Sequence, residues 1–204
     1  MSLQRGRDWG TPGALPLDGV VVKTDAQVRE LVESARRAGR PIPTVGLLGG
    51  DLCRTLGGIG DQQRLHSEAA RTFPIDVGAV LIDGRLHWFV AHLVARRSWW
   101  RGRVVVAMNA QWFRSYDLGP QAHPGDGLLD VSDGNPSLRE RLQVRKRART
   151  GTHLPHPAIN TTRTSAIQFD FAPKVDVYLD GTRVARNVRV LSLRVEPAAL
   201  RVVV

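Results

Sequence analysis

Two glycines followed by an acidic and a basic residue form the stretch with the clearest chemical potential. Gly49 and Gly50 follow the apolar run Val45–Leu48, and Asp51 and Arg54 come next. Because glycine lacks a side chain, such a turn leaves backbone N–H groups able to face an anion. Asp51 can cap the following helix, with Arg54 one turn further on the same face. A plain strand-to-helix turn explains the same residues, since two adjacent glycines are weak evidence for phosphate.

Acidic residues further along the chain offer a second kind of chemistry. Asp126 and Asp130 lie in the Pro- and Gly-rich segment 120–131, and carboxylate oxygens suit Mg²⁺. An Asp-Gly turn and a strand-edge carboxylate explain these two residues equally well. Asp180 also precedes a glycine, and this pattern is first of all typical of a hairpin turn.

Three stretches, in order along the chain, resemble motifs of the diacylglycerol kinase and sphingosine kinase family, which includes bacterial lipid kinases. The glycine turn resembles Gly-Thr-Gly-Asn-Asp-x-Ala-Arg, with Gly50 in place of Asn and Cys53 in place of Ala. Segment 120–131 resembles Pro-x-Ala-x-x-x-Asp-Gly-x-Leu-Asp-Val and is the more specific match. The third stretch, 180–182, reads Asp-Gly-Thr where the family has Asp-Gly-Glu.

The resemblance implies ATP-dependent phosphorylation of a lipid hydroxyl, with ATP and Mg²⁺ as cofactors. Nucleotide phosphates would then lie at Gly49, Gly50, Asp51 and Arg54. Asp18 and Gly19 occupy the place of the family's Gly-Gly-Asp-Gly-Thr phosphate motif, although only these two residues match it. A structural magnesium would lie near Asp126 and Asp130.

Departures from the family pattern argue against full activity. Thr182 occupies the position of the family's catalytic Glu, and a threonine hydroxyl cannot act as a general base near neutral pH. Asp180 remains the other candidate catalytic residue. Much of the family's nucleotide-binding part is also missing before Asp18. We therefore expect a lipid kinase-like protein with activity that is weak, absent or dependent on another chain, or alternatively a non-catalytic lipid- or protein-binding module.

Composition limits the class of partner. The chain has 204 residues, 42% of them hydrophobic, so a packed core is expected. Its net charge of +10 favours an anionic partner such as a phospholipid surface or a nucleotide. Nucleic acid is disfavoured because no helix-turn-helix, zinc or ribonucleoprotein signature is present. The single cysteine, Cys53, excludes a disulfide framework and suits a reducing cytoplasm. Without a long apolar run, contact with the inner membrane face would be peripheral.

Cations and indoles cluster in two places that could contact such a surface. Trp99 and Trp100 are flanked by arginines, and exposed Trp is typical of a membrane interface. A helix starting at Asn135-Pro136 would turn Leu138 and Leu142 inward and expose its cations. These cations include Arg139, Arg145 and Lys146. Buried indoles and a solvated helix face are the alternatives. An exposed strand edge could also pair two copies as a homodimer.

The patterns predict an α+β fold. Residues 1–16 form a poorly ordered lead, 17–72 a partial α/β nucleotide-binding layer, and 73–204 an antiparallel β-sandwich. Within the layer, Thr24 and Gln27 predict a capping box for a helix. Beyond it, Asp-Gly pairs at residues 83–84 and 180–181 predict hairpins. His92 is expected as a hydrogen-bonded core residue, and His153 within a structured loop.

Overall fold

The computed structural model describes residues 9–204 of the chain. Within that range the strands are β1 Thr11–Pro12, β2 Val20–Val22, β3 Val45–Leu47, β4 Arg71–Ile82, β5 Arg85–Phe89, β6 His92–Arg96, β7 Val104–Met108, β8 Trp112–Phe113, β9 Tyr116–Asp117, β10 Leu129–Gly134, β11 Ile159–Thr164, β12 Ala166–Leu179 and β13 Thr182–Val203. The helices are α1 Asp25–Arg37, α2 Asp51–Thr55, α3 Gln62–Leu65 and α4 Leu138–Arg147, followed by a 3₁₀ turn Ala148–Thr150. None of these helices is long and apolar enough to cross a membrane.

A small parallel layer opens the described chain. β2 and β3 pair in parallel, with Val20 opposite Val45 and Val22 opposite Leu47, and α1 connects them. The predicted cap at Thr24 is confirmed, because the N–H of Gln27 donates to Oγ1 of Thr24 at 3.2 Å. The reciprocal bond of the predicted capping box does not form, because Oε1 of Gln27 accepts the N–H of Lys23 at 2.8 Å and not that of Thr24. Because β2 and β3 run in parallel, both strands end at the same edge of the layer.

The rest of the fold is the predicted antiparallel β-sandwich, which the strand order confirms. That order is β1-β4-β13-β12-β6-β7-β10-β11, with β5 paired to β4. The strands β4, β12 and β13 are 12, 14 and 22 residues long, and register shifts interrupt their pairing. Both predicted hairpins form, and Asp83 and Asp180 adopt φ angles of 44° and 47° at the turns.

Two buried apolar cores hold these elements together. One lies between the parallel layer and the sandwich, where Val28, Val32 and Leu52 pack with Ile75 of β4 and Val202 of β13. The other fills the sandwich itself and includes Phe89, Leu93, Leu129, Phe169, Val177, Leu179 and Leu191. The last residues of β13 also pair with β3 in parallel, so one continuous sheet joins both parts.

The beginning of the described chain differs from the prediction of a poorly ordered lead. Residues 1–8 of that lead lie outside the described range. Thr11–Pro12, however, pairs with β4, and Leu15 is buried against Leu65 and Val203. Apolar burial at Leu15 is the physical reason that the segment packs against the domain.

The prediction for helix α4 was wrong in two respects. Ser137, rather than Asn135, caps it, forming a capping box with Glu140. Leu138 and Leu142 face solvent with 57% and 53% of their surface exposed, whereas they were expected to point inward. Arg141 is the buried residue of the helix because its guanidinium bonds to four acceptors in the adjoining loops.

Candidate functional site

The shared edge of the parallel layer brings two aspartates together. Asp25 starts α1 just after β2, and Asp51 starts α2 just after β3. Oδ2 of Asp25 accepts the N–H of Asp51 at 2.6 Å, and its Oδ1 accepts the N–H of Leu52 at 3.2 Å. The first amides of α2 therefore bind an anion, as the glycine turn predicted, but that anion is the chain's own carboxylate.

The same contact explains the two glycines. Gly50 has a φ of +97°, and a Cβ there would collide with the carboxylate of Asp25. A Cβ on Gly49 would lie 2.7 Å from the carbonyl oxygen of Lys23. Both glycines are thus required for the close approach of the turn to the end of β2, whether or not a phosphate also binds nearby.

A buried histidine and a third aspartate complete the group. Nε2 of His92 lies 3.1 Å from Oδ2 of Asp51. Asp180 is buried beneath the junction of β5 and β6, where it accepts the N–H groups of Val90, Ala91 and His92 at 3.0, 2.9 and 3.1 Å. We call Asp25, Asp51, His92 and Asp180 the acidic cluster. The predicted hairpin aspartate therefore also fixes the backbone beside the histidine.

Burial dominates the electrostatics of the acidic cluster. Desolvation, followed by the charge of Asp180, raises the pKa of Asp25 to about 7, against the lowering effect of the amides of Asp51 and Leu52. Burial likewise raises the pKa of Asp180, against the charge of His92 and three backbone amides. Burial lowers the pKa of His92, but its hydrogen bond to Asp51 and the neighbouring carboxylates outweigh that effect and raise it. Negative charge is thus expensive here, and protons are held tightly.

The hairpin of β8 and β9 is tied to the acidic cluster through its turn. The N–H of Arg114 donates to Oδ1 of Asp51 at 2.8 Å, and Nη1 of Arg54 donates to the carbonyl oxygen of Arg114 at 2.9 Å. The guanidinium of Arg54 also lies 3.4 Å from the ring centre of Trp112. Arg54, expected to contact phosphate, is therefore engaged by the protein itself.

An apolar pocket of about 500 Å³ opens on the other side of this hairpin. Its wall is largely aliphatic and aromatic, and includes Val104, Val106, Phe113, Val144, Leu154 and Ile159. Trp99 and Trp100 line it as well, together with Arg114, Arg141 and Arg145. Phe113 connects the two sites, because its ring lies 4.7 Å from that of His92 and 5.9 Å from that of Trp99. A ligand in the pocket would therefore lie next to the acidic cluster.

Several predicted site residues lie elsewhere. Asp18 and Gly19 form the turn that enters β2, and parallel strands place that end opposite the edge where Asp25 and Asp51 meet. Thr182 is exposed, two residues beyond Asp180. Among the membrane-contact candidates, Trp99, Trp100 and Arg145 line the pocket, whereas Arg139 and Lys146 are exposed on α4.

The predicted magnesium ligands are engaged by an arginine. Arg163 donates from Nε to Oδ1 of Asp130 at 2.8 Å and from Nη2 to Oδ2 of Asp126. A guanidinium bound to both carboxylates offsets one of their two negative charges and occupies an oxygen of each. Asp126 and Asp130 therefore do not fit a metal site in this arrangement.

The acidic cluster is a poor fit for Mg²⁺ as well. Ligand atoms of Asp25, Asp51 and His92 lie within 4.8 Å of one another. However, both oxygens of Asp25 accept backbone N–H groups, and those of Asp51 contact Arg114 and His92. Mg²⁺ requires near-octahedral oxygen coordination, which an imidazole and two carboxylates with a hydrogen bond on every oxygen do not offer.

Sequence reasoning missed Asp25, Arg114 and the contact of His92 with Asp51. Asp25 follows the capping residue Thr24, a position that by itself indicates only the start of a helix. One signal could have identified it: a parallel β2–β3 pair places the residues after both strands at one edge. Arg114 carried no comparable signal, since its φ of 55° and its contact with Asp51 arise from tertiary packing.

Comparison with known families identifies the scaffold. Residues 68–204 match the family described as the YegS C-terminal NAD kinase beta sandwich-like domain. The chain belongs to this family. The matched range spans the sandwich of this YegS-type domain from just before β4 to the end of the chain, and it includes His92, Asp180 and the apolar pocket. The predicted resemblance to lipid kinase-like proteins is therefore confirmed.

Solved structures extend the match over the parallel layer. A diacylglycerol kinase from Bacillus anthracis strain Sterne is 16% identical, with a TM-score of 0.59 over 91% of this chain and 75% of its own. Two structures from the same strain, provisionally named diacylglycerol kinase, are 15% and 13% identical with TM-scores of 0.66 and 0.68, each over 91% of this chain and 77% of its own. At these identities the likeness establishes the fold alone. Comparison with curated proteins found no match.

Proposed function

We propose that this YegS-type protein binds a lipid in its apolar pocket and has weak or no phosphoryl-transfer activity. The observation that carries the proposal is the shared wall of the two sites. Phe113 and Arg114 line the pocket, while Phe113 packs on His92 and Arg114 bonds to Asp51. A lipid chain held in the pocket would place its head group beside the acidic cluster. The names of the Bacillus anthracis neighbours suggest diacylglycerol as the lipid.

Weak catalysis follows from what surrounds the glycine turn. Phosphoryl transfer needs donors that neutralise the phosphates and a base for the attacking hydroxyl. The N–H groups of Asp51 and Leu52 are already bonded to Asp25, and Arg54 is bonded to Arg114. A threonine at residue 182 cannot supply the base, and loss of a positioned base costs about 10²–10⁴ in rate.

The surface around the pocket suits an anionic membrane. Trp99, Trp100, Leu138 and Leu142 are 38%, 49%, 57% and 53% exposed. Three cations of α4, Arg139, Arg145 and Lys146, lie in the same region of the chain. We call these seven residues the basic apolar face. Each cation near an anionic surface contributes about 1 kcal/mol, and interfacial Trp anchors add to it.

Two measurements test the proposal. The purified chain is expected to sediment with phosphatidylglycerol vesicles at low salt and to be released at high salt. With dioctanoylglycerol, ATP and Mg²⁺, we expect far less than the roughly 10 s⁻¹ turnover of a typical enzyme. Failure to bind vesicles at low salt would contradict membrane association, and turnover at ordinary rates would contradict weak catalysis. A rise in melting temperature with ATP and Mg²⁺ would also count against the proposal of weak or absent phosphoryl transfer, because it would show that the nucleotide binds.

A further inference from the structure

The charges that line the apolar pocket all have one sign. Arg114, Arg141 and Arg145 contribute guanidinium groups, and none of the pocket's lining residues is acidic. A neutral lipid such as diacylglycerol has no charge to complement them. Ligand sites usually combine an apolar wall with a few polar groups that determine orientation and specificity. In this pocket the charged members of that set are all cations.

Arg141 is the buried one of these three cations. Its side chain donates to the carbonyl oxygens of Pro136, Trp99 and Gly102 and to Oδ1 of Asn135. The residue is 8% exposed, and within residues 9–204 no carboxylate lies within ion-pair distance of it. A buried cation bonded only to neutral acceptors keeps its net charge uncompensated. An anion bound in the pocket would compensate it.

His153 contributes a neutral polar group to the same wall. The residue is 4% exposed and lines the same pocket. Its Nδ1 is buried and has no hydrogen-bond partner among the described residues. That atom is closed off from solvent, and burial lowers the pKa of His153, so the imidazole stays neutral and adds no charge to the pocket.

We propose that the pocket binds a single-chain lipid with an anionic head group. The head group is a carboxylate, as in a fatty acid, or a phosphate, as in a lysophosphatidic acid. This inference rests on the proposed function that the pocket holds lipid. A volume of about 500 Å³ falls within the range of sites that enclose one small ligand. The aliphatic wall takes the chain, and the arginines at its margin take the carboxylate or phosphate, which Arg binds in bidentate fashion.

Calorimetric titration with three matched probes tests the inference. Dodecanoate, dodecyl phosphate and 1-dodecanol have the same chain and differ in the head group. We expect both anions to bind at least about tenfold more tightly than the alcohol, equivalent to about 1.4 kcal/mol. The ratio of the dissociation constants of dodecanoate and dodecyl phosphate distinguishes a carboxylate ligand from a phosphate ligand.

Two variants locate the effect in the pocket. Arg145→Ala removes an exposed cation, and Arg114→Gly removes another while keeping the turn with its φ of 55°. Each is expected to weaken anion binding severalfold and to leave 1-dodecanol binding unchanged. The matched control, Arg37→Ala with Arg40→Ala, removes two exposed charges from the end of α1 and is expected to change neither.

The outcomes separate this inference from the proposed function. If 1-dodecanol binds as tightly as the anions, or if the control weakens anion binding as much as the pocket variants, the anionic preference is wrong and lipid binding stands. If none of the three probes binds, the proposed lipid pocket is itself wrong, and the inferred preference for an anionic lipid is then wrong as well.

Discussion

Asp51 binds the turn of a hairpin 63 residues away, because its Oδ1 accepts the backbone N–H of Arg114 at 2.8 Å. The other oxygen of the same carboxylate contacts Nε2 of His92 at 3.1 Å. One side chain at the start of α2 thus joins the parallel layer, the sandwich and the wall of the apolar pocket. Residues that resemble a nucleotide-binding motif act here as a structural connection.

Asp51→Ala should destabilise the protein and loosen the pocket. The substitution leaves the buried His92 and the N–H of Arg114 without their acceptor, and an unpaired buried polar group costs about 1–3 kcal/mol. Urea denaturation measures the loss in the free energy of unfolding. Asp18→Ala, at an exposed turn at the other end of β2, is the control and is expected to change it by less than about 0.5 kcal/mol. Equal effects of the two substitutions would contradict the connecting role of Asp51.

Gly50→Ala should be more destabilising than its backbone angle alone explains. Gly50 and Gly84 both have positive φ, +97° and +85°, but only a Cβ on Gly50 meets another group, the carboxylate of Asp25. Gly84→Ala therefore measures backbone strain alone, of order 1–3 kcal/mol. The excess loss for Gly50→Ala should shrink in an Asp25→Ala background, which a double-mutant cycle by urea denaturation measures. An unchanged excess would mean that Asp25 is not the group responsible.

Stability should fall as pH rises from 5 to 8. The pKa of Asp25 is raised from 3.8 to about 7, so the folded protein keeps a proton that the unfolded chain releases, and stability is lost as pH rises across that interval. His92 acts in the same direction, since its raised pKa favours folding below the unfolded value and that benefit is lost as pH rises through the folded pKa. Urea midpoints at pH 5, 6, 7 and 8 measure the slope.

A matched pair of variants assigns that slope to the acidic cluster. Asp25→Asn removes one titrating carboxyl and is expected to reduce the slope, while His92 and Asp180 keep the remainder. Glu68→Gln removes an exposed carboxyl and should leave it unchanged. A stability that rises between pH 5 and 8 in the natural chain would contradict the direction of these pKa shifts.

The hairpins of the sandwich and the cap of α1 were predictable from the sequence because their causes are local. Asp-Gly turns and the cap of α1 at Thr24 depend on residues within four positions of one another. The acidic cluster was not predictable from the sequence, because it depends on which strands pair. His92 and Asp51 are 41 residues apart, and only the parallel pairing of β2, β3 and β13 brings their elements together.

The predicted role of Asp126 and Asp130 shows a second limit. Two carboxylates in a Gly-rich loop are compatible with a cation of either kind, a metal or an arginine. Arg163 lies 33 residues beyond Asp130 and reaches it through the pairing of β10 with β11. Spacing along the chain could not distinguish the two partners.

Removing Arg163 should make the protein sensitive to Mg²⁺. In the natural chain the guanidinium holds both carboxylates. MgCl₂ at about 10 mM is therefore expected to leave the melting temperature unchanged. In Arg163→Ala the two carboxylates lose their counter-ion, and Mg²⁺ should raise the melting temperature of this variant. Thermal denaturation with and without Mg²⁺ measures both. A Mg²⁺-dependent rise in the natural chain that Asp126→Asn abolishes would instead restore the metal site predicted from the sequence.

Replacing the two exposed leucines of α4 should abolish membrane binding at little cost in stability. Leu138→Asp with Leu142→Asp puts negative charge at the centre of the basic apolar face, where apolar contact and attraction to anionic lipid both act. Neither leucine is in the core, so the free energy of unfolding should change by less than about 1 kcal/mol.

The hairpin of β4 and β5 offers a control of the same chemistry elsewhere. Leu81 and Leu86 are 44% and 40% exposed, and Leu81→Asp with Leu86→Asp changes the net charge by the same amount away from α4. Sedimentation with phosphatidylglycerol vesicles should be lost in the α4 variant and retained in the hairpin variant. If both variants lose it, net charge drives binding and no particular face is used. If both retain it, the membrane contact lies elsewhere on the molecule, because aspartates at the exposed positions 138 and 142 would repel an anionic surface.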